Sequence, residues 1–338
     1  MYSMPMTRPA DIVVLSEPEI RALVPLDADA LGAIERAFAA LADGRADVPP
    51  IIGLLVPERR GEVDVKGAYI HGLPRMAIKI ASGFYDNAAL GLPSSSGMMV
   101  VVSAETGFPE GVLLDNGYLT EVRTGLAGAV AAKHLAPAEV DTVGVIGAGT
   151  QGRYQVRALR LVRAFRRVLV FDRTASSAEA YAREMREELN AAVEPADAET
   201  VVRESQVVIS CTPSHEPIVR TSWLHAGMHV TGMGADTAEK QELESGVLRR
   251  ADRLACDFKR QCFERGEFLH ALRAGAIVAS ADVTELGELT SGRRPGRQRP
   301  DEITVCALTG VGVQDAAIAL LCYERALAAG AGLRVSRR

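Results

Sequence analysis

The sequence has few of the features that mark secreted or metal-binding proteins. Its five cysteines are scattered without a Cys-x-x-Cys pair, and its six histidines form no His-Glu-x-x-His motif. These absences argue against a disulfide framework and against a metal site. Unpatterned cysteines suit a reducing compartment, so we expect a cytoplasmic protein without a bound metal. The cysteines are Cys211, Cys256, Cys262, Cys306 and Cys322.

Charge and hydropathy exclude further classes of partner. The formal net charge is −5 and there is no long basic run, which argues against nucleic acid as the main partner. No apolar stretch near the N-terminus is long enough for a signal peptide or a membrane span, so we expect a soluble protein without a membrane partner. With 48% hydrophobic and 24% charged residues among 338, the chain can bury a large core, and two domains are expected.

A glycine-rich turn follows the apolar run 142–146. Its glycines, at positions 147, 149 and 152, have the spacing G-x-G-x-x-G. Gly147 would permit a tight turn, Gly149 would let the backbone approach a pyrophosphate, and Gly152 would let the next helix pack on the strand. The N-terminal amides of that helix would then face the phosphates. An ordinary strand–turn–helix is the alternative, but this context favours a dinucleotide-binding turn.

A second strand-like run, 167–172, ends in an acid 25 residues after Gly147. This is roughly where the ribose partner of such a turn belongs. The carboxylate of Asp172 can accept a hydrogen bond from the ribose 2′-hydroxyl but repels a 2′-phosphate, which favours NAD. Arg173 could hold that phosphate instead, so NADP stays open.

About 140 residues precede the turn, so they must form something else. A capping box at 16–19 and an amphipathic pattern over 27–42 predict two helices. Strand-like runs then predict a mixed or antiparallel sheet, and an alanine-rich helix is expected over 120–135. The runs are 63–70, 75–80, 98–102 and 111–114.

From residue 142 strands alternate with helices, which predicts a parallel sheet. Near residue 300 we expect a strand over 303–308 and a final helix over 313–328. The helix is too apolar to stand alone, so we expect this last segment to return to the first domain. The predicted fold class is α/β, with a doubly wound Rossmann domain inserted into an α+β substrate-binding and dimerisation domain. The predicted domains are 1–125 with 303–338, and 126–302 for NAD(P) binding.

Five stretches together resemble the ornithine cyclodeaminase/mu-crystallin family, and the resemblance covers residues 12–330. Several motifs in the right order are much more specific than one. The five stretches are Ala77–Lys79, Leu119–Gly125, Gly147–Gly152, Gly232–Asp236 followed by Lys240 and Glu242, and Leu308–Asp315.

This resemblance implies a homodimer, with a site between the two domains. It implies that Arg123 holds the substrate α-carboxylate, that Lys79 lies beside it, and that Asp236 is the catalytic acid/base. Thr309 and Gly310 would approach the nicotinamide or the substrate. The cofactor would be bound by Thr124, Gly147, Gly149, Thr150, Gln151, Gly152, Asp172, Arg173, Thr212, Met233 and Gly234.

Each of these three residues could instead have a purely structural role. The planar guanidinium of Arg123 matches a carboxylate in two hydrogen bonds, but could instead cap helix carbonyls. Lys79 lies in an apolar strand run, where a lysine usually points to solvent. Asp236 follows an apolar strand at the edge where doubly wound sheets bind ligands, but could instead cap a helix over 237–248.

One departure from the family pattern bears on the substrate. Members that act on ornithine usually carry an arginine directly after paired prolines, whereas here Pro49-Pro50 precede Ile51. Lys66, on the strand face of Asp64, could replace that cation, unless both are exposed edge-strand charges. The hydroxyls of Ser94, Ser95 and Ser96 could bind a second carboxylate, unless they only form a turn.

These changes resemble a subgroup of ectoine-utilisation cyclodeaminase-like proteins and iminosuccinate reductases. The shared stretches are Gly83–Asn87, Pro93–Ser96, Asp115–Tyr118 and Val311–Asp315. The leading hypothesis is NAD(P)-dependent reduction of an imino acid to an amino acid, with iminosuccinate to aspartate as the specific case. Lys66 and the three serines would hold the distal carboxylate. The alternatives are conversion of ornithine to proline with ammonia release, a role in ectoine utilisation, and a non-catalytic NAD(P)H-dependent binding protein like mu-crystallin.

Overall fold

The computed structural model of the chain describes residues 11–337. Backbone contacts group them into two compact units. The first unit comprises the described residues up to Pro25, Gly44–Thr120 and those from Gly312 on, and the second comprises Leu26–Asp43 and Glu121–Val311. This division assigns 26–43, 121–125 and 303–311 to the second unit, whereas the sequence suggested the first. Residues 1–10 and 338 of the predicted first domain lie outside the described residues.

The described residues form sixteen strands and eleven α-helices, with short 3-10 turns between some of them. The strands are β1 Ile12–Ser16, β2 Ala46–Asp47, β3 Ile52–Val56, β4 Gly61–Ile70, β5 Arg75–Phe84, β6 Ser95–Ser103, β7 Pro109–Leu114, β8 Thr142–Ile146, β9 Arg167–Phe171, β10 Ala192–Pro195, β11 Val207–Ser210, β12 His229–Gly232, β13 Arg253–Cys256, β14 Val283–Glu285, β15 Thr304–Ala307 and β16 Leu333–Val335. The helices are α1 Glu17–Leu23, α2 Ala28–Ala42, α3 Tyr118–Leu135, α4 Thr150–Leu159, α5 Ala175–Leu189, α6 Ala198–Glu204, α7 Ser245–Arg250, α8 Lys259–Cys262, α9 Gly266–Arg273, α10 Leu286–Thr290 and α11 Gly312–Ala329.

The first unit is built on a mixed sheet with the order β16-β1-β7-β6-β5-β4-β2, and β3 pairs with β4. Strands β4 to β7 are antiparallel neighbours, while β1 runs parallel to β7. Alternate residues of β4 and β5 are buried, among them Ala68, Ala77 and Lys79, and α11 packs against both strands. The predicted mixed or antiparallel sheet is confirmed.

The second unit is built on an eight-stranded sheet with the order β10-β9-β8-β11-β12-β15-β13-β14, in which the described strands all pair in parallel. Successive residues of one strand enter different cores: Val168 and Val170 lie in one apolar cluster and Leu169 in the other. Both faces of the sheet are therefore covered, as in a doubly wound fold. The predicted α/β fold class is confirmed.

Two segments differ from the sequence-based expectation. Strand β15 pairs with β12 and β13 inside the parallel sheet, so only the chain from Gly312 on returns to the first unit. Helix α2 packs on α10, where a Cβ at Gly287 would overlap the carbonyl oxygen of Phe38. This close approach groups α2 with the second unit. Among residues 11–337, no helix combines the length and the apolar character that crossing a bilayer requires.

Candidate active site

The turn after β8 has a glycine at each of three positions, for a different structural reason at each. Gly147 has φ +106°, and a Cβ there would lie 2.7 Å from the carbonyl oxygen of Cys211. A Cβ at Gly152 would overlap the oxygen of Gly147, so α4 packs closely on the turn. At Gly149, a Cβ would meet no atom of the described residues within 4 Å, which leaves the backbone open to a ligand. These observations fit the pyrophosphate of a dinucleotide at the N-terminus of α4.

The start of α4 is tied to α3 by side-chain hydrogen bonds. The amide of Gln151 donates to the carboxylate of Glu121, and Gln155 Nε2 donates to the carbonyl oxygen of Thr124 at 2.9 Å. Thr124 is buried, and Thr150 is the first residue of α4. The second unit therefore brings Thr124, Thr150 and Gln151 to the same turn.

Asp172 follows β9 and connects it to the glycine turn. Its Oδ2 accepts from the backbone N–H of Ala148 at 2.9 Å, and its Oδ1 accepts from that of Thr174 at 2.8 Å. These bonds hold the carboxylate at the carboxyl edge of the sheet, where the ribose partner was expected. Arg173 is exposed next to it.

Thr212 and Gly234 come together at the carboxyl ends of β11 and β12, through the carboxylate of Glu242. Its Oε1 accepts from the N–H and hydroxyl of Thr212, at 2.6 and 2.8 Å. Its Oε2 accepts from the N–H of Gly234 at 2.6 Å. The Met233 N–H donates to the carbonyl oxygen of Ser210 at 2.8 Å, which continues the pairing of the two strands by one residue. These predicted cofactor residues thus share one edge of the sheet.

Arg123, Thr309 and Gly310 are also neighbours in the second unit. Asp257 accepts from the backbone N–H groups of Thr309 and Gly310 at 2.9 and 2.7 Å. Gly310 has φ +76°, and a Cβ there would lie 2.7 Å from Arg123 Nη1. A glycine is therefore needed for the backbone conformation and for the guanidinium beside it. Arg123 lies inside α3 and is buried, so the helix-end capping alternative does not describe its place.

Asp236 lies on the loop after β12, and its Oδ1 accepts from Lys240 Nζ at 2.8 Å. Its side chain is 40% exposed. The alternative of a helix over 237–248 is wrong, because α7 begins only at Ser245. The chain before α7 turns back instead, so that Glu242 can bind the ends of β11 and β12.

Lys66 and Lys79 lie opposite each other on β4 and β5 in the first unit. Both are buried, so the solvent-facing alternative is wrong for each. Lys79 Nζ is 3.0 Å from Asp315 Oδ1 on α11, and Lys66 Nζ is 3.5 Å from Asp64 Oδ2. The helix lies close to the strands because Gly312 approaches the backbone of Gly67, where a Cβ would overlap the carbonyl oxygen.

The three serines are not placed beside these lysines. Ser94 precedes β6, while Ser95 and Ser96 begin it, and all three are exposed. Ser95 pairs with Gly83, four residues from Lys79 along β5, which is about 13 Å. Ser96 points to the opposite face, because successive side chains alternate across a strand.

The model of the ornithine cyclodeaminase/mu-crystallin family matches residues 11–330. The chain belongs to this family. The expected family resemblance is therefore confirmed over almost the whole sequence. A family protein of Sinorhizobium fredii, named as an uncharacterized cyclodeaminase, is 47% identical over 321 residues, which cover 94% of this chain and 97% of that protein.

Solved structures of the family show the same fold. The Thermococcus litoralis Δ1-pyrroline-2-carboxylate reductase, in complex with NADH and L-proline, has a TM-score of 0.90 and 29% identity, covering 96% of this chain and all of that one. An archaeal alanine dehydrogenase dimer with bound NAD has a TM-score of 0.89 and 32% identity, covering 97% and 100%. The iminosuccinate reductase of Paracoccus denitrificans, in complex with NAD+, has a TM-score of 0.88 and 30% identity, covering 96% and 99%.

These comparisons place the chain among NAD-dependent oxidoreductases and cyclodeaminases of the family. Three relatives with different named substrates are 29%, 32% and 30% identical to it. Such similar values do not select a substrate. The choice therefore depends on the side chains of the site.

The sequence analysis assigns no functional role to three buried acids that support the site: Asp257, Glu267 and Asp315. Asp315 lies within a motif that carried the family resemblance, and Asp257 directly follows β13 at the ligand-binding edge of the sheet. Both positions gave a usable signal. Glu267, near the start of α9, gave none, because only its tertiary contacts distinguish it from a solvated helix residue.

Proposed function

We propose that this chain reduces an imino acid to an amino acid with NADH, and that iminosuccinate, reduced to aspartate, is its substrate. The observation that carries the choice of substrate is the buried pair Lys66 and Lys79. Two ammonium groups opposite each other on one sheet face suit a ligand with two carboxylates. A substrate with a second amine would place like charges together at this point.

The two lysines differ in how firmly they are held. The 3.0 Å contact of Lys79 with Asp315 is a close ion pair between two buried side chains. The 3.5 Å contact of Lys66 with Asp64 is longer than a normal charge-assisted hydrogen bond. An ammonium has three donors, so Lys66 can turn toward a second carboxylate. We therefore assign the distal carboxylate to Lys66.

The remaining roles follow from the chemistry of each side chain. Arg123 would bind the α-carboxylate through its planar fork, with Lys79 as the second cation. The carboxylate of Asp236 would accept a hydrogen bond from the imine N–H and so keep that nitrogen protonated, since the protonated imine is the better hydride acceptor. Lys240 pairs with Asp236 at 2.8 Å and would orient its carboxyl group.

The cofactor would be held by the glycine turn, Asp172, Thr212 and Gly234, and it would supply the hydride. We propose NAD rather than NADP because Asp172 is held in place by Ala148 and Thr174, so its negative charge stays at the edge of the sheet. A 2′-phosphate there would meet a fixed carboxylate. The five cysteines are free thiols, which suits a reducing cytoplasm.

We also propose that the protein is a homodimer joined through the outer face of the mixed sheet. That face carries a row of apolar side chains across three strands, Ile78, Val100 and Val112, and Ile78 is 41% exposed. An apolar row that is exposed at Ile78 and half-buried at Val100 and Val112 suits an interface with a second copy of the chain. Light scattering of Ile78→Asp should show monomer where the unchanged chain shows dimer, and a monomeric unchanged chain would contradict the assignment.

A substrate screen tests the function. Oxidation of NADH would be followed with iminosuccinate, with Δ1-pyrroline-2-carboxylate, and with pyruvate plus ammonia, and ammonia release from ornithine would be measured separately. We expect the highest kcat/KM with iminosuccinate. Faster turnover of a monocarboxylate imine would assign a different substrate, and ammonia release without net NADH change would assign cyclodeamination.

A further inference from the structure

Glu242 joins two strand ends from inside the second unit. It is fully buried, and its Oε1 accepts from the Ser210 hydroxyl at 2.6 Å as well as from Thr212. Its Oε2 accepts from the N–H of Gly234. Four donors therefore converge on one carboxyl group, which is the arrangement that stabilises an ionised carboxylate.

Glu267 supports the segment that carries Glu242. Its Oε1 accepts from the backbone N–H groups of Glu242 and Leu243, at 2.7 and 3.2 Å. Its Oε2 is buried and has no hydrogen-bond partner among the described residues. Leu243 and Phe268 of the surrounding apolar core are fully buried. An ionised carboxylate with an unpaired oxygen is costly in such a place, whereas a neutral acid is tolerated.

The same network borders the loop that carries Asp236. Gly234, at one end of that loop, is bound by Glu242. At the other end, the Thr237 carbonyl accepts from the Gly266 N–H at 3.0 Å, directly before Glu267. Gly266 has φ +67°, and a Cβ there would overlap the carbonyl oxygen of Ala235. The start of α9 and the Asp236 loop are therefore packed without spare room.

We propose that Glu242 and Glu267 are positioning residues of the cofactor and proton-donor loops. Glu242 acts as the carboxylate that fixes Thr212 and Gly234, and Glu267 acts as the neutral acid that fixes the backbone of Glu242. Neither is assigned contact with the cofactor or substrate; they act through Thr212, Gly234 and Asp236. This inference rests on the proposed function for the role of Asp236, but its effect on cofactor binding does not depend on the identity of the substrate.

The raised pKa of Glu267 agrees with its assignment as the neutral acid. Burial, together with the nearby charge of Glu242, raises the pKa of Glu267 to about 8. Burial also raises the pKa of Glu242, but the donors from Ser210, Thr212 and Gly234 oppose that effect. A shared site of two carboxyl groups generally keeps one of them protonated, because two adjacent buried charges repel each other.

Three variants of the full-length chain test the inference: Glu242→Gln, Glu267→Gln and Glu267→Leu. A glutamine at 242 would turn an N–H toward a donor, while a glutamine at 267 reproduces a neutral acid. We expect the NADH Kd, measured by fluorescence titration, to rise roughly tenfold or more in E242Q and E267L, the size of losing a hydrogen bond to a charged or buried group. In E267Q the rise should be several-fold smaller than in E267L.

Glu239→Gln is the matched control, because the same substitution on the same loop changes an exposed side chain. Its Kd should equal that of the unchanged chain. With the imino acid found in the substrate screen, E242Q should also lower kcat at saturating NADH, a loss that weaker cofactor binding alone does not produce.

Equal NADH affinity in E242Q and the unchanged chain would overturn the inference, and so would equal damage from E267Q and E267L. If E242Q does not fold, the E267Q and E267L pair decides alone. Failure of every imino acid in the screen, with these differences in NADH Kd intact, would reject the proposed function and leave the positioning of the cofactor loop standing.

Discussion

Lys66 and Lys79 are direct cross-strand neighbours on β4 and β5, and both are buried. Like charges opposite each other on a sheet are destabilising unless something offsets them. Asp64 and Asp315 supply that offset, at 3.5 and 3.0 Å. Burying these charged groups still costs desolvation free energy, and we propose that they are retained for an anionic ligand rather than for stability.

The first prediction concerns Lys66→Gln. The variant should lose the distal carboxylate contact and keep the α-carboxylate contact. We expect KM for iminosuccinate to rise roughly 10- to 100-fold, the size of a hydrogen bond to a charged group, while KM for a monocarboxylate imine changes little. Steady-state kinetics on both substrates measure this difference. Lys133→Gln, at an exposed lysine, is the control, and an equal loss on both substrates would assign Lys66 a structural role.

The second prediction compares two glycines with the same kind of backbone. Gly310 has φ +76° and Gly292 has φ +72°, but a Cβ at Gly310 meets Arg123 at 2.7 Å while one at Gly292 meets no described atom within 4 Å. Both alanine variants should lose about 1 kcal/mol of stability from the left-handed backbone. Only Gly310→Ala should also raise KM for the substrate, by about tenfold. Chemical unfolding and kinetics together separate the two effects, and equal KM values in the two variants would contradict the placement of Arg123.

The third prediction concerns the choice of cofactor. The unchanged chain should prefer NADH to NADPH, because Asp172 is fixed by two backbone N–H groups. Asp172→Ser should reduce that preference by about tenfold or more, since it removes a fixed negative charge from the 2′-phosphate position. The ratio of kcat/KM for the two cofactors measures it. Adding Arg173→Gln to this variant should then weaken NADPH use, and a preference for NADPH in the unchanged chain would reject the assignment of Asp172.

The fourth prediction is a pH dependence of stability. The pKa of Glu267 is raised from 4.5 to about 8, because burial and the charge of Glu242 oppose ionisation. Between these values the folded state binds more protons than the unfolded state, so the free energy of unfolding falls as the pH rises from 4.5 to 8. The slope from this group is at most roughly 1.4 kcal/mol per pH unit.

Glu267→Gln has no proton to lose and should show a flatter dependence over that range. Urea unfolding at pH 5, 6, 7 and 8, on both proteins, provides the comparison. Parallel curves for the two proteins would show that Glu267 ionises without cost in the folded state.

Much of the fold was predictable because its signals are local. The alternation of strands and helices after residue 142 predicts the parallel sheet, and the glycine spacing places the dinucleotide turn. The sequence does not indicate strand β3, because Ile52–Val56 has no alternation of apolar and polar residues. The placement of α2 with the second unit depends on Gly287 touching Phe38, a contact between residues far apart in the chain.

The sequence predicts site residues where a suitable residue type lies within a recognisable motif. It does not predict them where the strand register decides which face of the sheet a side chain occupies. The sequence indicated Lys66 and Lys79 as candidates, but an alternating strand can present a lysine to either face. Both lysines are buried because they pair with each other across β4 and β5 and because α11 packs against these two strands. Ser95 and Ser96 illustrate the reverse case, because two hydroxyls that are neighbours in sequence point to opposite faces once they lie in a strand.

The measurement that tests the proposed reaction most directly is NADH oxidation with iminosuccinate by the unchanged chain and by Asp236→Asn. The asparagine keeps the size of the side chain but cannot hold or return the proton. We predict rapid turnover by the unchanged chain and a loss of about 100-fold or more in kcat for the variant, the usual contribution of general acid–base catalysis, with NADH binding retained. Equal turnover by the two proteins would contradict the proposed role of Asp236 and the reaction built on it.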